Sequence, residues 1–165
     1  MPGTILVVRL LHVLSAIALV GGIFARQIVR REAACSSDVH KFAALTDAAR
    51  RIENLLVIPG SLAAVVLGVI LGLMTGAPIL GFLHDGDRNW LLAANLIIVS
   101  LIAIPGLVFI PQRRRLEAAL NIALAEGRMT SSLLAVLRER SGILWHLYEE
   151  AAVLVIVLLM ALKPF

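Results

Sequence analysis

Two histidines and two glutamates stand in stretches too apolar to solvate them. His12 follows Arg9 by three residues inside the run Thr4–Phe24, so the two share one face of a helix. Toward the other end, His146, Glu149 and Glu150 precede Ala151–Leu162, which is too short to cross a bilayer alone. Those glutamates must therefore lie below the headgroups with the apolar run. Ionisable groups there are costly and point to function. An imidazole can ligate haem iron, an arginine can pair with a carboxylate, and neighbouring carboxylates can carry protons. Asn95, in the run that begins at Trp90, is a neutral third candidate. No serine-nucleophile, HExxH or Gly-rich phosphate motif accompanies them, so no catalytic set is assigned.

Spanning helices must position these groups. Of 165 residues, 60% are hydrophobic and only 16% charged, and the mean hydropathy is +0.95. A soluble domain of this size leaves too much surface exposed to hide so much apolar matter. Four runs approach the roughly 20 residues that a span needs: residues 4–24, 55–76, 90–110 and 143–162. The expected fold is all-α, a single integral membrane four-helix bundle over residues 1–165, with helical connections. Ser37 or Asp38 is expected to cap a helix carrying Phe42, Leu45, Ala49 and Ile52. A second helix should run from Arg113 to Glu126 and stop near Gly127, and a third should start at Thr130–Ser132. These connections are expected to extend the spans as interfacial hairpins, with cations facing anionic headgroups. The first run is too long for a signal-peptide core and is read as a retained span.

Charge gives the direction. Twelve of the fifteen cations fall between spans one and two (Arg26, Arg30, Arg31, Lys41, Arg50, Arg51) or three and four (Arg113, Arg114, Arg115, Arg128, Arg138, Arg140). Both connections should be cytoplasmic, with both termini on the other side. The net charge of +4 then belongs to the membrane surface; lipid is the expected partner and nucleic acid is not. The single cysteine, Cys35, excludes an internal disulfide. His84, Asp85 and Asp87 could hold a surface cation.

Span two carries Gly60, Ala64, Gly68, Gly72 and Gly76, a small residue at every fourth position. These line one helix face, and small residues let helices approach closely in lipid. The expected occupant of this groove is another helix of the same chain; the alternatives are a second copy or another membrane subunit. Pro59 is placed near the start of span two, and Pro105-Gly106 is expected to kink span three.

Helix rise places His12 about 12 Å below the outer face, Asn95 about 9 Å below it, and His146 about 4.5 Å from the inner face. The two histidines then differ by about 13 Å in depth, too much to clamp one haem.

The stretch LLHVLSAIALVGGIFARQIV, Leu10 to Val29, resembles the first span of the HemJ-type protoporphyrinogen oxidases and of a related uncharacterised family of bacterial four-span membrane proteins. Shared features are Leu11-His12, Gly21-Gly22 and an arginine at the end of the span. The likeness continues through Arg50-Arg51, Pro59, the glycines of span two, the glutamate of span four and the closing Lys163-Pro164-Phe165. It implies a multi-pass protein of the bacterial inner membrane, and haem b held by His12. The sequence departs from the HemJ pattern twice. Ala25-Arg26-Gln27-Ile28 stands where a further histidine is expected, and Trp90–Asn95 holds no lysine. The uncharacterised family is the better fit.

Three expectations follow. The first is a redox-linked haem b protein, with His12 as iron ligand, Arg9 as propionate partner and Asn95 or an exogenous group as distal contact. The second is a non-catalytic subunit of a larger membrane complex. The third is a proton-linked transporter using Glu149 and Glu150, against which the absence of visible repeats weighs.

Overall fold

The computed structural model describes residues 2–76, 89–104 and 110–162. His84, Asp85, Asp87, Pro105-Gly106 and Lys163–Phe165 lie outside the described residues. Every described element is helical. The first, α1, runs Pro2–Ala34. Its 33 residues rise about 50 Å, so it continues well past the apolar stretch expected to cross.

The chain reverses at Cys35–Asp38. Asp38 caps α2 (Val39–Ile52), accepting the backbone N–H groups of His40 and Lys41. Those two donors hold its carboxyl below the usual carboxylate range. From α2 the helix does not stop. It widens into a π turn over Glu53–Val57 and continues as α3 (Ile58–Thr75). Pro59 explains the widening. In an α-helix its ring would clash with the Leu55 carbonyl four residues back. Here the N–H of Ile58 reaches back five residues to the Glu53 carbonyl, and the wider turn makes room. The proline thus sits in the first turn of α3, inside a longer continuous helix. Gly76 ends α3 in the left-handed conformation, φ +65°, which glycine adopts without penalty.

The remaining helices are α4 (Asn89–Ile104), α5 (Ile110–Glu126), α6 (Ser131–Leu137) and α7 (Arg140–Leu162). Gly127 stops α5, and the Thr130 hydroxyl caps α6 through the Leu133 N–H. Three described stretches, Gly3–Ala34, Val39–Thr75 and Leu144–Leu162, are long and apolar enough to cross a membrane; Trp90–Ala103 is shorter. Their large apolar side chains point outward, among them Leu6, Leu62, Leu96 and Leu158. In water each would forgo about 1.5–3 kcal/mol of burial; in lipid none does.

Two helix pairs form the bundle. α1 packs along α3, and α4 packs chiefly along α7. They share a small apolar core of Ile23, Val57 and Val153, with Leu19, Val20 and Leu101 against it. A second core lies outside the apolar spans. There Ala33, Val39, Phe42, Ala119, Ala123 and Leu133 are buried, with Leu45, Leu116 and Leu120 packed on them. These connections fold onto one another, because α2, α5 and α6 each carry an apolar stripe.

The α1–α3 contact depends on glycine. A Cβ at Gly60 would stand 3.0 Å from the Leu19 backbone nitrogen and 3.3 Å from the Ser15 carbonyl oxygen. Neither atom can move without moving α1. Gly60→Val should therefore force the two helices apart and lower the thermal midpoint in detergent. Gly21→Ala is the control. A Cβ there meets nothing within 4 Å, and the better helix former should leave the midpoint unchanged or raise it slightly.

Candidate functional site

Charged residues from α1, the π turn and α7 converge in the interior. Arg26, one turn beyond Gly22 on α1, is only 2% exposed. Its Nη2 donates to Glu149 Oε2 on α7, and its Nη1 lies 3.6 Å from Glu53 Oε1. Arg30, one turn further, reaches Glu53 Oε2 at 3.4 Å and His146 Nε2 at 2.7 Å. Arg30 Nη1 also lies 3.3 Å from the other ring nitrogen, Nδ1. That nitrogen faces Glu149 Oε2 at 3.5 Å. Two guanidiniums, two carboxylates and an imidazole meet in one group.

Each member is there for a local reason. Arg26 and Arg30 are four apart and share a helix face, as do His146 and Glu149 at three. Glu53 opens the π turn that Pro59 requires. Beside the cluster, the hydroxyls of Tyr148 and Ser100 are 2.6 Å apart and tie α7 to α4. One buried oxygen of Glu150 has no hydrogen-bond partner among the described residues, and neither has Arg26 Nε. The arrangement suits a fixed joint. Glu149 is held from two sides, which does not favour a carboxylate that must bind and release protons in turn.

His12 lies elsewhere. Its Nδ1 is 2.9 Å from the Ala64 carbonyl oxygen on α3. The carbonyl must accept, so Nδ1 carries the proton and the lone pair is on Nε2. The ring fits beside Gly68, where a Cβ would come within 3.1 Å of His12 Cε1. The small-residue face thus holds the α1 backbone at Gly60 and the histidine ring at Ala64 and Gly68. Eighteen residues of α1 separate His12 from Arg30, the partner of His146. That is about 27 Å of helix, and the two histidines serve different places.

Of the other expected residues, Arg9 is exposed on α1. Asn95 is half-buried on α4, in the other helix pair. Gly72 is half-buried in the last turn of α3, and Gly76 is its cap. No group of three or more His, Cys, Asp or Glu could hold a metal ion among the described residues.

Sequence reasoning missed Arg26, Arg30 and Glu53 as partners of Glu149 and His146. One signal was present. A carboxylate buried near that end of α7 requires a cation, and Arg26 and Arg30 stand on one face at the same end of α1.

Long lipid-facing helices joined by an interior ion cluster define a helical integral membrane protein. The chain belongs to the family described as predicted integral membrane protein (DUF2269), which it matches over residues 6–164. Neither a curated protein nor a solved structure matches it.

Leaving one buried charge without its partner costs about 3–5 kcal/mol, whereas an exposed pair contributes about 0–1 kcal/mol. Arg26→Ala should therefore lower stability by several kcal/mol in denaturant unfolding in detergent. Arg51→Ala, which breaks the exposed Arg51–Asp47 pair, should change it by less than about 1 kcal/mol. Equal effects would show that the cluster does not hold the helices.

Proposed function

We propose that this protein is a four-span protein of the bacterial cytoplasmic membrane, with both termini outside, that binds haem b through His12. The observation that carries this is the hydrogen bond from His12 Nδ1 to the Ala64 carbonyl. Ligating imidazoles characteristically donate their other ring nitrogen to a backbone carbonyl or carboxylate, which fixes the tautomer and raises ligand basicity. His12 is held in that state, in a slot cleared by Gly68. Bound there, haem would supply one-electron redox chemistry.

Arg9 stands three residues before His12 on an exposed part of α1, suited to a propionate. Asn95 stands on the α4–α7 pair, so a role as distal contact needs the bound group to reach across the two helix pairs. The likeness of Leu10–Val29 to HemJ-type first spans supports haem. It does not extend to porphyrinogen oxidation, because the further histidine and the span-three lysine of that family are missing.

The test is the visible spectrum of protein made with haem available and purified in detergent. Wild type should show a Soret band. His12→Ala should lose most of it, and His146→Ala should keep most of it. Gly68→Val retains the histidine but crowds its ring, and should also reduce the band. A colourless wild-type protein would refute the proposal.

Orientation has its own test. A reporter fused after Phe165 should read as external, and one inserted after Gly127 as cytoplasmic, the orientation that the distribution of arginines favours. The reverse pair of signals would invert the topology.

A further inference from the structure

Between α2 and α5 lies an open cleft of about 470 Å³, lined by Arg50, Ile110, Arg113, Arg114, Glu117 and Asn121. Three guanidiniums face one carboxylate. Glu117 Oε1 is 3.3 Å from Arg50 and 3.0 Å from Arg113, so it braces two arginines from different helices. Arg114 makes no ion pair among the described residues. The cleft therefore keeps a positive surplus, with Arg50 and Arg113 already oriented, and an amide from Asn121 at its edge.

Its height matters as much as its charge. Arg50 is five residues before Leu55, which is largely exposed, as is Ile58 beyond it. That is about 7.5 Å of helix from arginine to lipid-facing leucine. On the other wall, Ile110 is 51% exposed and comes only three residues before Arg113. Both walls change from lipid-facing apolar to arginine within two turns, which is where phosphates lie in a bilayer. Guanidinium is the side chain best shaped to bind phosphate through two parallel hydrogen bonds.

We propose that this cleft is a binding site for the headgroup phosphate of an anionic phospholipid, with Arg50 and Arg114 as its principal ligands and Ile110 against the top of an acyl chain. The proposal does not depend on haem binding.

Titration of the full-length protein in neutral detergent, read by native mass spectrometry, tests it with three probes: phosphatidylglycerol, phosphatidylcholine and inorganic phosphate. Phosphatidylglycerol should bind at least tenfold more tightly than phosphatidylcholine, and inorganic phosphate at the same concentration should not displace it. An interfacial arginine contributes about fivefold to attraction of anionic lipid. Arg114→Gln should thus weaken phosphatidylglycerol binding about fivefold without unfolding the protein, since it breaks no described pair. Arg128→Gln, whose partner is Glu126 and which does not line the cleft, should leave binding unchanged. Equal binding of the two lipids overturns the proposal. So does an equal loss in Arg128→Gln, which would mean diffuse attraction. Displacement by inorganic phosphate would reassign the cleft to a soluble anion.

Discussion

A guanidinium that is 2% exposed between apolar helices cannot remain there alone, and the bundle is arranged around that constraint. Arg26 draws Glu149 from α7 and Glu53 from the π turn to itself. Arg30 then completes the group with Glu53 and His146. Among the described residues, the α1–α3 and α4–α7 pairs also share the small core around Ile23, Val57 and Val153. In lipid, apolar surface alone gives helices little reason to choose one another. A buried ion pair does, because any separation leaves charges without partners in a poor solvent for them.

Away from the charges the same helices are held by shape. Glycine at position 60 lets two backbones touch, and glycine at position 68 lets an imidazole lie flat enough to reach a main-chain carbonyl. Close approach and polar satisfaction are thus coupled on one helix face. The ring of His12 fills space that a side chain would otherwise occupy, and its hydrogen bond satisfies a group that lipid could not.

Much of this was legible in the sequence because it follows from periodicity and punctuation. The apolar runs, the cap at Asp38, the stop at Gly127 and the start at Thr130 are local signals, and each appears where its chemistry requires. The fourfold spacing of small residues marked the face that meets α1. What was not legible depended on where helices end. Phe24 closes the apolar run, but the α1 backbone continues to Ala34, carrying Arg26 and Arg30 into the interior. Read as loop cations, they had no visible link to Glu149, 123 residues away from Arg26. Glu53 was hidden for a related reason. Its position depends on a proline six residues later that widens a turn.

That widened turn has a geometric result. Each residue of an α-helix advances about 100° around the axis, so one extra residue in a turn rotates everything beyond it by about that angle. The face of α2 that buries Val39 and Phe42 in the second core is thereby uncoupled from the face of α3 that offers Gly60, Ala64 and Gly68 to α1. A strictly α-helical path would have locked the two faces to a single azimuth. Pro59 therefore acts as an angular spacer. It lets one unbroken helix serve two neighbours in different directions, one in the lipid and one beyond it.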